Sequence, residues 1–283
     1  MSQSPSGKAA KTALLFDAVS PSYDAVGVDF FGPIADELVT RLAPTPGESL
    51  IDIGCGKGQV LIRAAEHVGP NARMMGIDIS PGMLEQARAI LDRAGRTDVQ
   101  LRELDAQDPA LGEEPFDIVA SSLVLFFIPD PVQALRAWQT LLRPGGRIGI
   151  TTFGSRDARW EEIDSAFTPY LPAAMLDART SGAKGPFASD AGVANLFRQV
   201  GFSDVQTWNT DVDVVFSDAA HWRTWTMSVG QRAMWNAVPA EKVAEVQERA
   251  TEQLSRCVGD DGQIHLTQTI RTTLARRGDR AGS

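Results

Sequence analysis

The sequence predicts an α/β fold: a doubly wound, mostly parallel sheet with an antiparallel last strand, an N-terminal helical lid and an inserted helical cap. Three observations predict it. Short apolar segments alternate with amphipathic ones between about residues 49 and 152, the rhythm of parallel strands joined by crossover helices. The first strand passes into the first helix through Gly54, Gly56 and Gly58, a turn with room for close backbone approach. Acids stand where three successive strands end, at Asp52, Asp78 and Asp105.

The elements follow in order. Residues 1–11 are small, polar and mildly basic and are expected to be a disordered tail. Residues 12–43 carry two helical stretches, the lid, broken around Ser20-Pro21 and Gly32-Pro33. The cofactor-binding core spans 44–153, with strands at 49–53, 73–79, 99–104, 116–122 and 147–152 and helices at 59–68, 83–94 and 132–142. Ser80-Pro81 and Pro129-Asp130-Pro131 place a cap before a residue whose φ is pre-set. Leu142-Arg143-Pro144-Gly145-Gly146 reads as a helix stop. Prolines, glycines and aromatics crowd 154–186, the cap insertion. The remaining 187–283 return to the core with a helix at 191–200, a strand at 205–216, a helical insertion at about 218–257 and a last strand at 264–274.

Composition narrows the function. With 27 basic and 36 acidic residues among 283, the formal net charge is -9, which disfavours a phosphate-tracking nucleic-acid groove and favours a small-molecule partner. The two cysteines, Cys55 and Cys257, suggest neither a disulfide framework nor a metal site. No export signal and no membrane span is read. The expectation is a cytoplasmic monomer or homodimer that binds no metal, nucleic acid or membrane.

The glycine turn and the strand-end acids indicate a nucleoside-bearing cofactor, because backbone N–H groups and a helix N-terminus face the ligand. An acid at the second strand end can accept both ribose hydroxyls, one at the third an exocyclic amine, and Asp52 can favour a cationic amino group. A dinucleotide turn would place its third glycine at Gln59. That argues against an NAD(P)-dependent oxidoreductase, the alternative enzyme; a non-catalytic nucleotide-binding protein is the other alternative.

The ordered set Ile51-Asp52-Ile53-Gly54-Cys55-Gly56-Lys57-Gly58, Asp78, Met83, Asp105, Phe116-Asp117-Ile118-Val119 and Leu142-Arg143-Pro144-Gly145-Gly146 resembles the class I S-adenosylmethionine-dependent methyltransferases, whose core is Rossmann-like. The segment from Phe16 to Asp24 resembles the lid of their small-molecule branch, similar to the ubiquinone and menaquinone biosynthesis enzymes. The resemblance implies S-adenosyl-L-methionine as cofactor. It places Gly54, Gly56 and Asp52 at the methionine part, Asp78 at the ribose, Ile79 and Met83 beside the adenine, and Asp105 with Ala106 at its edge. Ser121 would approach the methionine end and Tyr23 would close over it. Where that family often shows histidines after the fourth strand, this chain has Phe126-Phe127.

A sulfonium methyl group needs an aligned nucleophile rather than a protein nucleophile, so the catalytic residue is unassigned. Tyr170, His221 and His265 are the candidates, the histidines weighed also as structural residues. An apolar or aromatic acceptor, methylated at O, N or C, would meet a pocket of Phe30, Phe31, Phe126, Phe127, Trp160, Phe167, Tyr170, Trp222 and Trp225. An indole, phenol, quinone or polyketide ring would suit it. Trp222 and Trp225 are expected to be partly exposed to that pocket, Arg271 could point at an anionic acceptor, and Arg276-Arg277 reads as a solvated tail. Asp78 could instead cap the helix after Ser80, Asp117 marks a strand start, and Cys55 is a small buried side chain.

Overall fold

The computed structural model describes residues 7–23, 26–112, 114–173, 175 and 185–278. Along the chain run α1 (Gly7–Val19), α2 (Phe31–Leu42), β1 (Leu50–Ile53), α3 (Gln59–Val68), β2 (Met74–Asp78), α4 (Pro81–Arg93), β3 (Gln100–Glu103) and β4 (Phe116–Ser122). They continue with α5 (Pro131–Leu141), β5 (Leu142–Arg156), α6 (Ala158–Asp164), α7 (Asp190–Gln199), β6 (Phe202–Phe216), α8 (Ala219–Ser228), α9 (Arg232–Ala237), α10 (Val243–Ser255) and β7 (Ile264–Arg277). The strands form one seven-stranded sheet in the order β3-β2-β1-β4-β5-β7-β6. All pairings from β3 to β5 are parallel, and β7 runs antiparallel to both neighbours.

Strand alternation explains the double winding. In β1 Leu50 faces the cluster built with Leu38, Leu42, Val60, Leu61 and Ala64 of α2 and α3, whereas Ile51 and Ile53 face the one containing Leu135, Trp138 and Phe197 of α5 and α7. Successive side chains point to opposite faces and both faces are covered. The chain order reverses between β1 and β4, so the crevice of an open α/β sheet lies at their carboxyl ends.

Several boundaries differ from expectation. Gly7 to Lys11 belong to α1, not to a disordered tail; residues 1–6 lie outside the described residues. Gly32-Pro33 does not break a helix but opens α2, because the first turn has no partner for the N–H that proline lacks. Leu142 to Gly146 follow the end of α5 but already belong to β5: Leu142 pairs with Phe116 of β4, and Arg143 to Gly146 form the register shift before Arg147 pairs with Ile118. β5 then runs to Arg156, beyond the expected start of the cap, of which residues 174 and 176–184 lie outside the described residues. The helix expected from 218 is two, α8 and α9, interrupted after Ser228. Arg276 and Arg277 are strand residues rather than a tail: Arg276 donates to the Gly145 carbonyl at 3.3 Å and Arg277 to that of Gln139 at 3.0 Å.

Candidate active site

β1 delivers its backbone into a turn that no side chain fills. Gly54, Gly56 and Gly58 all have positive φ, 71°, 50° and 85°, a region costly for residues with a Cβ. The Gly54 and Cys55 N–H groups both donate to the Ile77 carbonyl, at 2.8 and 2.9 Å, and pin the turn to β2. A Cβ at Gly54 would overlap the Val124 side chain, whereas one at Gly56 would meet nothing within 4 Å. Gly54 is therefore required by packing, and Gly56 faces an open cradle at the N-terminus of α3.

Two carboxylates flank this cradle. Asp78 is an acceptor at both oxygens, from Gly56 N–H and Ser80 N–H, each at 2.9 Å. It therefore braces the turn, while Ser80 caps α4 by accepting from Met83 N–H at 3.2 Å. Burial raises the Asp78 pKa, partly offset by the Ser80 and Gly56 N–H groups. Asp52 is 1% exposed and its Oδ1 has no hydrogen-bond partner. Burial, with the nearby Asp78 charge, pushes its pKa up to about 8. A buried carboxyl with a free oxygen is held neutral until a cation reaches it. Cys55 beside it is buried and its thiol is pushed up by desolvation, which removes it as a nucleophile.

The other predicted contacts are placed less freely. Ser121 is buried and donates to the Ile53 carbonyl at 2.8 Å, so its proton ties β4 to β1. Asp105 accepts from Gln107 N–H at 2.8 Å, and the Ala106 carbonyl accepts from the Trp138 indole at 2.6 Å. Ile79 is half-buried beside buried Met83. Asp117, beyond marking a strand start, accepts from Ser49 N–H and Oγ, each at 2.7 Å. Leu123, just past β4, holds a φ of 57°, uncommon for such a side chain.

The lid closes over the cradle through contacts that sequence reading missed. Asp17 of α1 accepts from the Ser80 hydroxyl and, at 3.1 Å, from Gly82 N–H at the start of α4. Lys57 in the turn donates to the Tyr23 carbonyl at 2.5 Å. Tyr23 stacks on Phe31 with ring centroids 5.0 Å apart. Phe16 meets Tyr23 at 6.2 Å and Phe127 at 5.6 Å, which joins the lid to the loop after β4. Asp17 and Lys57 stood inside the two quoted motifs, but only their tertiary partners reveal them.

The aromatic residues divide. Phe126 is buried against Phe127, Phe153 and Phe187. Trp225 is packed among Phe30, Trp160 and Phe216. Trp222 packs with Phe167 and Trp235. Trp222 and Trp225 are 2% and 5% exposed, so the expected partial exposure is corrected to burial. Tyr170 is half-buried, its hydroxyl 3.4 Å from Glu245. Arg271 points at no acceptor: it is buried and donates to Asp190 at 2.6 Å and to the Phe153 and Phe187 carbonyls at 3.0 and 2.9 Å.

Neither histidine offers a free base. His221 Nδ1 accepts from Ser217 N–H at 3.1 Å, which leaves Nε2 to donate to the Val26 carbonyl at 2.8 Å. His265 sits between Asp213 at 2.9 Å and Asp261 at 3.2 Å, and both raise its pKa. These pairs tie β6 near its end to the start of β7 and the turn before it.

Comparison with known proteins agrees with this geometry. Residues 44–187 match a family described as "Methyltransferase domain". Nocamycin O-methyltransferase of Saccharothrix syringae is 34% identical over 82% of this chain and 87% of its own. Aklanonic acid methyltransferase of a Streptomyces species is 40% identical over 57% of this chain and 74% of its own. The chain belongs to the methyltransferase family. It is an S-adenosylmethionine-dependent enzyme, and the oxidoreductase and non-catalytic alternatives fall away. A solved Bacillus halodurans protein described as a methyltransferase shares the fold, with a TM-score of 0.57 at 16% identity over 87% of this chain and all of its own. Among the described residues of this methyltransferase, no helix is long and apolar enough to cross a membrane.

Proposed function

We propose that this methyltransferase methylates an oxygen atom of a planar, largely apolar small molecule such as a polyketide-derived ring. The carrying observation is the buried, unpartnered Asp52 Oδ1 beside a turn that is open at Gly56. That donor set fits S-adenosylmethionine: a cationic amino group satisfies Asp52, and adenosine lies along Asp78, Ile79, Met83, Asp105 and Ala106. Gly54 and Gly56 line its methionine part, Ser121 stands near the methionine end, and Tyr23 covers it from the lid. When bound, the cofactor supplies an electrophilic methyl group on a sulfonium.

The chain's own residues supply orientation and dryness. Phe126 and Phe127 line the exit of β4, and the lid rings Phe16, Tyr23 and Phe31 exclude water from the transfer path. With cofactor bound, its methyl group would pass to the acceptor oxygen as the C–S bond breaks, leaving a neutral thioether, and the acceptor would lose its hydroxyl proton to solvent before these rings close over it. The choice of oxygen is supported by the relative named for O-methylation.

The test is incubation of purified protein and labelled S-adenosylmethionine with hydroxylated polycyclic acids and phenols, read by mass shift. A product carrying one O-methyl group is expected. Transfer confined to N or C acceptors would discard the oxygen assignment, and unchanged cofactor uptake in Asp78→Ala would discard the site.

A further inference from the structure

We infer that the indole N–H groups of Trp225 and Trp222 are polar anchors for the acceptor, and that they select a planar molecule carrying a carbonyl or phenolic oxygen away from the methylated atom. This rests on the acceptor reading above and narrows it. Both side chains are more than nine-tenths buried, yet neither Nε1 has a hydrogen-bond partner. A buried donor left unpaired is costly, and folds seldom tolerate one without a purpose.

The same chain shows that its other buried indoles are satisfied. Trp138 donates to the Ala106 carbonyl at 2.6 Å, Trp160 to that of Thr267 at 3.0 Å, and Trp235 to the Thr226 hydroxyl at 3.0 Å. The two exceptions stand three residues apart on α8, so they share one helix face. At Trp225 that face meets the lid, and at Trp222 it packs on Phe167 and Trp235. Trp225 lies 5.6 Å from Phe30, Phe30 touches Phe31 at 5.0 Å, and Phe31 stacks on Tyr23, which Lys57 of the glycine turn holds. A ring system seated along these aromatics would reach from the donors toward the cofactor turn.

Charge selects the oxygen type. Indole N–H is a neutral donor without acceptor capacity, and the nearby guanidinium of Arg156, which lies over the Trp160 ring, is already paired with Asp164 at 2.8 Å. A carbonyl or phenolic oxygen needs only that donor, whereas a buried carboxylate needs a full counter-charge as well.

The experiment uses full-length protein with indole-15N tryptophan, saturated with S-adenosylhomocysteine, and two probes of like shape, 1-hydroxyanthraquinone and anthracene. Trp222→Phe and Trp225→Phe assign the resonances and keep most of the ring volume. Expected is a downfield shift of the 222 or 225 indole proton with the hydroxyquinone only, and about tenfold weaker binding of that probe to W225F with anthracene affinity unchanged. Equal loss for both probes would reduce the tryptophans to packing and overturn the inference. So would unmoved indole protons at saturation, as for donors bonded to water, or failure of the hydroxyquinone to bind. S-adenosylhomocysteine titration by calorimetry separates the readings: its failure sinks the cofactor site, whereas intact titration with unmoved indole protons sinks only the anchors.

Discussion

Cofactor binding should expel a proton from Asp52, and Asp52→Asn should abolish the release. Asp52 is 1% exposed and its pKa lies at about 8, so at pH 7 roughly nine in ten molecules carry the neutral acid. An ammonium beside Oδ1 favours the carboxylate, and binding then releases about 0.9 proton at pH 7 and about 0.5 at pH 8. The ligand's own α-amino group is that of a free amino acid with a carboxylate beside it, so it is already an ammonium over this range and takes up little. The net is close to one proton released at pH 6, about 0.9 at pH 7 and somewhat under about 0.5 at pH 8. The assay is calorimetry of S-adenosylhomocysteine in buffers of different ionisation enthalpy. D52N should show only the small uptake and bind at least about thirtyfold more weakly, since a charge-assisted bond is worth about 2 kcal/mol. Identical proton counts in both proteins at pH 6 to 7 would refute the reasoning, because the ammonium would then not meet this carboxyl. The same ionisation sets the ligand-free protein's pH response. A carboxyl raised above its unfolded value binds its proton more tightly when folded, so stability falls as pH climbs from about 4 to 8, and D52N should flatten that decline.

Gly56→Ala should cost about 1 kcal/mol in stability for its positive φ but weaken cofactor binding more than about tenfold, its methyl group entering the cradle. Gly54→Ala should instead lower Tm strongly, because the new Cβ overlaps Val124; chemical denaturation beside calorimetry separates the two. Asp17→Ala removes the acceptor for Ser80 and Gly82 and should raise the cofactor KM about five- to tenfold, with faster tryptic cleavage of α1. Arg271→Met takes the guanidinium from two carbonyls and leaves Asp190 with Asn209 as its donor, and should destabilise by about 2–4 kcal/mol with the acceptor KM unchanged; a rise in that KM would restore a substrate role. His265 has a raised pKa from Asp213 and Asp261, so its contribution is full below the unfolded pKa and fades as pH rises through the folded one. His265→Asn should therefore lower Tm more at pH 6 than at pH 9, with kcat unaffected.

The core was legible because its signals are local. Period-two and period-3.6 patterns place β1 to β5 and their helices, and Ser80 and Asp130 cap α4 and α5 where sequence reading puts them. Gly54 and Gly56 differ only in what lies across space, Val124 or nothing, and no local pattern records that. The same limit hid Arg271, whose partners Phe153, Phe187 and Asp190 come from two other elements and a loop. It also hid Asp17, a surface acid by composition that becomes a lid clasp only when α1 meets α4. A last strand is expected at 264–274, but its continuation to Arg277 depends on pairing with Phe202 and Ser203.

The lid takes hydrogen bonds from both sides of the crevice. From the cofactor side, Ser80 and Gly82 donate to Asp17, and Lys57 donates to the Tyr23 carbonyl. From the helical insertion, His221 donates to the Val26 carbonyl and Arg232 to that of Ala18 at 3.2 Å. Each side therefore stabilises a lid position that the other also needs, and by linkage whatever orders one set of bonds strengthens the other. A cofactor seated at Asp78 and Gly56 would bear on the Ser80 and Lys57 bonds, and an acceptor under α8 would bear on His221, so the two affinities would depend on each other without any residue touching both. His221 has a positional role in that arrangement: its Nε2–H holds the Val26 carbonyl of the lid while its Nδ1 lone pair is taken by Ser217 N–H.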